Sequence, residues 1–254
     1  MAVLLGATLL YASQDLPPFA DPGTPVQTHP VTETYLHDSQ EDIGIPNTVT
    51  AVLASYRGYD TLGELIVVFT AGITVPLLLM RTRRRDKEER ERREAAETVL
   101  SEYRVLRVTS KVMLPFILML AFYVLFHGDY GPGGGFQAGV IFASGFVLYG
   151  LVFGIRGVER VVPWRALLTL LPVGVLLYAG LGVVNMALGG SFLDYGTLVP
   201  HHPEHGEHYG ILIIETGVGI TVAAVLIAVF YSFASRGSSR DGTASGDGAA
   251  SRDG

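Results

Sequence analysis

Long apolar stretches alternate with short polar ones along this chain of 254 residues. A helix that crosses roughly 30 Å of membrane hydrocarbon needs about 20 mostly apolar residues. Stretches that meet this length are residues 62–80, 108–126, 136–154, 166–188 and 211–234. The pattern therefore predicts an all-α integral membrane protein.

The first 12 residues are apolar but shorter than a comfortable span. They form either a short or tilted helix held by its neighbours or the apolar core of a signal peptide. The usual basic segment of a signal peptide is missing, because no Lys or Arg precedes Arg57. We expect a retained short helix, which gives five to six transmembrane helices in total.

Basic residues lie in every second connection between the predicted spans. Of the 18 Lys and Arg residues, only Arg57 lies outside residues 81–111, 156–165 and 236–252. Connections rich in Lys and Arg stay in the cytoplasm. The connections predicted to be cytoplasmic are 81–107, 155–165 and 235–254, and those predicted to be external are 13–61, 127–135 and 189–210. The C-terminus is therefore predicted to be cytoplasmic.

The polar segments differ in character. Residues 81–107 contain no Gly or Pro and alternate Arg with Glu at helical spacings, which predicts a solvated cytoplasmic helix that connects two membrane modules. Acids nearly balance bases there, so we do not expect nucleic-acid binding. Residues 13–45 are acidic and proline-rich, which predicts an irregular external loop. Residues 236–254 are rich in Ser, Gly and Asp and are predicted to be a disordered tail. The predicted domains are thus 1–80, 81–107, 108–235 and 236–254.

Composition narrows the possible chemistry. Charged residues make up 17% of the chain, against about 25% in soluble proteins. The chain has no cysteine, which excludes disulfides, thiolate metal sites and cysteine-ligated iron–sulfur clusters. A redox centre is therefore not held here by sulfur. We expect no cofactor and no catalytic residue.

A glycine-rich segment runs from His127 to Gly139. It lacks the Lys-Ser/Thr pair of a phosphate-binding loop. Proline and glycine favour a tight turn at the membrane surface, and small residues spaced by four favour close helix packing. The residues predicted to form the turn and the packing face are Pro132, Gly133, Gly134, Gly135 and Gly139. His127 is a candidate for more than packing, although its spacing alone does not show it.

Acidic residues near the ends of spans are the second chemical feature. Glu64 and Glu215 lie within predicted spans, and Asp60 lies one turn before Glu64. A charged side chain in the membrane costs about 2.5–3.5 kcal/mol at the centre and less near the interface. Each acid either lines a proton or cation route or reaches headgroup water or a neighbouring helix. Asn185 is predicted to form a hydrogen bond between helices.

Histidines cluster before the last span. His201, His202, His205 and His208 stand with two glutamates in a segment that could bind Zn²⁺ or Ni²⁺. The segment is predicted to be external and is interrupted by Pro and Gly. No residues are evident that would hydrogen-bond to metal-binding side chains and orient them. We expect a solvated loop rather than a metal site.

The segment from His127 to Gly139, with the run Pro-Gly-Gly-Gly-Phe at its centre, resembles the MnhB (B-type) component of multisubunit Mrp-type Na⁺/H⁺ antiporters. The resemblance extends over about residues 105–235 and includes Glu215-Thr-Gly-Val. A second segment, about residues 43–80, contains Gly44-Ile-Pro-Asn and Asp60-Thr-Leu-Gly-Glu. It resembles the last domain of the large A-type component of the antiporters and the small E-type component of membrane-bound hydrogenases. The two modules are fused here through residues 81–107.

The resemblance implies a membrane subunit of a Na⁺(cation)/H⁺ antiporter complex in a bacterial or archaeal cell membrane. Its implied partners are the A-, C-, D-, E-, F- and G-type components of the complex, Na⁺, H⁺ and the lipid bilayer. The implied ion-pathway residues are Glu64 first, then Glu215 and His127, with Asp60 beside them. The ion-translocating component of a membrane-bound hydrogenase or formate hydrogenlyase-like complex shares both modules, and a purely structural scaffold is the third alternative.

Overall fold

The computed structural model describes residues 1–18, 21–24, 28–80 and 104–234, and every regular element within these ranges is a helix. Five of the helices are long and apolar enough to cross a membrane. They are α2 (Gly58–Met80), α3 (Arg104–Phe126), α4 (Gly135–Phe153), α6 (Trp164–Ala187) and α7 (Pro203–Ala234). The prediction of an all-α membrane protein with five clear spans is confirmed.

The first helix, α1 (Ala2–Ala12), has 11 residues and no buried side chain. Its leucines are exposed, for example Leu10 at 72%. The predicted short helix is present, while its crossing of the membrane stays a prediction.

The prediction of an irregular loop over residues 13–45 is wrong for residues 30–43. These residues form consecutive helical turns, Pro30–Glu33, Thr34–Asp38 and Ser39–Ile43. Proline is compatible with the first turn of a helix, because its missing N–H has no partner there. Gly44, with a φ of +75°, ends the segment.

The second helical stretch of this region precedes α2 directly. Asn47 caps it by accepting a hydrogen bond from the backbone N–H of Val49 at 3.1 Å. Thr48–Thr50 is α-helical and Ala51–Tyr56 is π-helical. This stretch lies against α7 and places the side chains of Asn47 and Thr50 near the turn that follows α3.

Helix α7 begins earlier than its apolar stretch predicts. The helix includes residues 203–210, which the sequence assigns to an external loop. Pro203 suits the first helical position, and Glu204 in the first turn is favoured by the helix dipole. The loop prediction is therefore wrong for this part of the histidine-rich segment.

Helix α7 is the central element of the bundle. It packs against α2, α4 and α6, and it contributes to both buried clusters of apolar side chains. The short helix α5 (Ile155–Val161) connects α4 to α6. The predicted linker helix lies mostly, and the predicted tail entirely, outside the described residues.

Candidate functional site

The glycine-rich turn between α3 and α4 is held by the segment that precedes α2. The amide of Asn47 donates to the carbonyl oxygens of Gly128 at 2.6 Å and Gly131 at 2.7 Å. The hydroxyl of Thr50 donates to the Gly128 carbonyl at 2.8 Å. The backbone N–H of Asn47 donates to the carbonyl of Asp129 at 3.1 Å. The two modules that the sequence distinguishes therefore interlock at this turn.

The carboxylate of Glu215 lies at the N-terminus of α4, where it accepts a hydrogen bond from the backbone N–H of Gly135. The first N–H groups of a helix have no partner within it, and the helix dipole favours a negative charge there. Gly134 precedes the helix with a φ of +122° and offers no side-chain cap. Glu215, which belongs to another helix, supplies that cap.

Close approach of the backbones makes this arrangement possible. A Cβ atom on Gly135 would overlap the carbonyl oxygen of Glu215. One turn later, a Cβ on Gly139 would lie 2.8 Å from the carbonyl oxygen of Gly219, which is tighter than real Cβ contacts. The structure therefore places the glycines of α4 directly against the backbone of α7.

Asp129 and His208 form an ion pair when the imidazole is protonated. His208 Nδ1 and Asp129 Oδ2 are 2.5 Å apart, and the side chains are 36% and 9% exposed, respectively. Burial raises the pKa of Asp129 above its ordinary value, and His208 acts in the opposite direction. Sequence reasoning did not find this pair. The spacing of His208 and Glu215 puts both on one face of α7. It does not identify Asp129, which lies in another segment, as the partner of His208.

Two buried tyrosines bind the backbone of the first module. The hydroxyl of Tyr178 on α6 donates to the carbonyl of Gly58 at 2.9 Å, and that of Tyr195 donates to the carbonyl of Ala54 at 3.1 Å. Burial raises the pKa of Tyr195 above its ordinary value. Glu64 and Glu215 both lie within electrostatic range of the Tyr178 hydroxyl. The buried Tyr178 hydroxyl therefore senses the charges of candidate acids on two different helices.

Glu64 and Asp60 lie on the exposed face of α2. Leu65, the next residue after Glu64, is 2% exposed and packs in the core. Asp60 pairs with Arg57 at 2.5 Å, and both side chains are 53% exposed. Glu64 therefore lies on the outer surface of the chain, in the first half of a span.

His127 interacts with aromatic neighbours. Its ring stacks on that of Tyr123, with the centroids 4.9 Å apart, and lies 6.3 Å from that of Tyr130. The structure thus brings Glu215 and Asp129 to the turn region, while His127 packs along the end of α3.

The histidine-rich segment does not converge on one point. The possible ligand atoms of His202, Glu204 and His205 lie within 4.8 Å of one another, and all three residues are exposed. His201 is outside this group, and His208 pairs with Asp129 instead. The histidines of this segment therefore lie in two different environments: His202 and His205 are exposed, and His208 contacts a buried acid.

Two further polar side chains, of Glu207 and Asn185, have buried atoms without a hydrogen-bond partner among the described residues. The Oε2 atom of Glu207 has no hydrogen-bond partner among the described residues, although Ser55 and Gly196 lie beside the carboxylate. Asn185 is fully buried, and neither of its side-chain polar atoms has a partner within the described part of the chain. The predicted interhelical hydrogen bond of Asn185 is therefore not formed within the described part of the chain. The sequence places Glu207 in the histidine-rich segment, which is predicted to be a solvated loop rather than a metal site.

Both modules of the chain match families of known proteins. Residues 105–228 match the model of the domain related to the MnhB subunit of Na⁺/H⁺ antiporters, and residues 20–96 match the model of MbhE, the E-type component of MBH. A Staphylococcus haemolyticus protein named as the antiporter component mnhB2 is 35% identical over 127 residues, which are 49% of this chain and 89% of that protein. A Rhizobium meliloti protein named as the A/B component of a K⁺/H⁺ antiporter is 30% identical over 82% of this chain.

Solved structures agree with this assignment. A chain of the Mrp complex from Dietzia sp. DQ12-45-1b matches with a TM-score of 0.66 and 25% identity over 91% of this chain. A chain of the archaeal membrane-bound sulfane sulfur reductase matches with a TM-score of 0.69 and 28% identity, over 91% of this chain and 94% of that one. This chain spans only 23% of the Rhizobium protein and 25% of the Mrp chain.

Both modules are thus accounted for by relatives, and a single Rhizobium protein matches most of this chain. The chain belongs to the family of MnhB-related antiporter subunits, and in this chain an MbhE-like module precedes the MnhB domain.

Proposed function

We propose that this chain is a membrane subunit of a multisubunit cation/proton antiporter complex and has no catalytic activity of its own. Its family and the names of its relatives support the transport role. The proposed partners are the other components of the antiporter, of the A, C, D, E, F and G types. The cation is Na⁺ or K⁺, since relatives are named for each.

The single observation that carries this proposal is the position of Glu64. It is an exposed carboxylate on a helix long enough to span the membrane. A carboxylate facing lipid tails is costly, so such groups usually face water, a paired group or another helix. A neighbouring protein that covers this face of α2 removes the cost and encloses a route for a cation or proton.

The ion-pathway roles of the acids follow from their surroundings. Glu64 is the first candidate, because its carboxylate lies on the exposed face of α2, which another subunit is proposed to cover. Glu215 is the second, because its part-buried carboxylate lies between α7 and α4 and caps α4. His127 and Asp60 are proposed to stand beside the route. The Tyr178 hydroxyl lies within electrostatic range of Glu64 and Glu215.

Replacing Glu64 by Gln in the whole complex tests the proposal. We expect cation-dependent proton flux in inverted membrane vesicles to fall at least about tenfold, with Na⁺ and K⁺ tested separately, because the neutral amide removes the charge that binds the ion. Glu33→Gln, an acid outside the spans, is the matched control and should leave the flux unchanged. Unchanged flux in a normally assembled Glu64→Gln complex would favour a structural scaffold.

The likeness to the sulfane sulfur reductase chain also fits a component of a respiratory complex. The genes beside this one discriminate the two functions. Genes for redox proteins would support the respiratory function, and genes for antiporter components alone would support the proposal.

A further inference from the structure

The turn between α3 and α4 is attached to α7 at two points. Asp129 contacts His208, with Nδ1 and Oδ2 2.5 Å apart. Gly135 at the other end of the turn donates its N–H to Glu215. His208 and Glu215 are separated by seven positions, which is close to two helical turns, so both face the turn.

The two attachment points differ in their access to water. The side chain of His208 is 36% exposed, whereas that of Asp129 is 9% exposed. Glu215 is part-buried, and the Asp129 carboxylate lies within electrostatic range of it. The three groups therefore follow one another from an accessible imidazole to acids inside the bundle.

The surroundings of Asp129 include uncharged and titratable side chains. The uncharged Asn47 and Thr50 occupy the side toward the first module, where they bind backbone carbonyls of the turn. The titratable groups on the elements around the pair are Glu204, His205, Glu207, Tyr209, Glu215 and Tyr231 on α7, His127 and Tyr130 on the turn, and Asp194 and Tyr195 before α7. His208 is the group that makes a direct ion-pair contact with Asp129.

We propose that Asp129 and His208 form a proton-binding pair at the outer end of the route that leads to Glu215. The inference rests on the antiporter function proposed above. A proton taken from external water by the imidazole passes across the short contact to the Asp129 carboxylate, and Glu215 is the next acid along the route. The imidazole is neutral again after the transfer.

His208→Gln in the complete complex tests the pair. Burial raises the pKa of Asp129, and the imidazole opposes this effect. Without the imidazole the pKa of Asp129 rises further, so the carboxyl keeps its proton to a higher pH. We expect the acid limb of the pH profile of antiport to move up by about one pH unit, the lower end of the usual effect of a nearby opposite charge, because His208 is 36% exposed.

His205→Gln is the matched control, because His205 is exposed on the same helix and pairs with no buried acid among the described residues. Its pH profile should equal that of the wild type. Asp129→Asn should flatten the acid limb, because the titrating carboxyl is gone, and Asp129→Glu should restore it.

A merely structural clamp gives a different result. His208→Gln would then lower the amount of assembled complex while the remaining antiport kept the wild-type pH profile, and this outcome would overturn the inference. An absence of any cation-dependent proton flux in the wild-type complex would instead contradict the proposed function. The two failures are therefore distinguishable.

Discussion

Asn47 shows how one residue can join two modules. Its side-chain amide donates to two carbonyl oxygens of the turn after α3, and its own carbonyl oxygen Oδ1 caps the helical stretch before α2. The sequence shows Asn47 inside a motif of the first module, but not its partners, because those lie more than 80 residues away. A side chain with so many satisfied hydrogen bonds is expected to stabilise the interface.

Asn47→Ala tests this expectation. The carbonyl of Gly131 loses its side-chain donor, and an unsatisfied buried polar group costs about 1–3 kcal/mol. We expect a lower melting temperature of the purified complex. Thr70→Ala is the control, since the exposed Thr70 hydroxyl bonds to the carbonyl of Ile66 within α2. Equal melting temperatures for the two variants would show that Asn47 adds nothing to the interface.

At the scale of elements, the contact between α4 and α7 depends on the absence of side chains. Gly135 and Gly139 face α7, which lets the two backbones approach and lets Glu215 reach the end of α4. The spacing of small residues predicts a packing face on α4. It does not identify the partner helix, because any helix with a smooth face could pack there.

Gly135→Ala is predicted to separate α4 from α7, because the added methyl group overlaps the carbonyl oxygen of Glu215. The amount of assembled complex in membranes should fall at least about fivefold, since overpacking a close contact typically costs about 1–3 kcal/mol. Gly180→Ala on α6 is the matched control, because nothing lies within 4 Å of its added Cβ. Normal assembly of the Gly135→Ala complex would argue against a tight contact.

For the whole molecule, the main question is its orientation in the membrane. The five long helices make it a multi-pass membrane protein. The concentration of Lys and Arg in alternate connections predicts a cytoplasmic C-terminus and a cytoplasmic connection at residues 81–107.

Because the chain has no cysteine, single cysteines can report its orientation. Ala95→Cys should be protected from an impermeant thiol reagent in intact cells and labelled in inverted vesicles. His201→Cys, on the predicted external side, should show the reverse pattern. External labelling of residue 95 would overturn the predicted topology.

Sequence alone determined the number and the approximate limits of the long helices, because hydrophobicity and length are local properties that the bilayer requires of each span separately. It also indicated the two modules, through motifs that are contiguous in the chain. It missed the helical start of α7 and the turns at residues 30–43, where polar residues form helices that an apolar pattern does not predict.

Only the tertiary structure decided which groups meet. Three contacts join residues about 80 positions apart. They are the pairing of Asp129 with His208, the capping of α4 by Glu215, and the hydrogen bond from Asn47 to the turn. Such contacts depend on how the helices pack around α7, and spacing along one segment carries no information about them. The structure also placed Glu64 on the outside of the bundle, because the neighbouring core position is taken by Leu65.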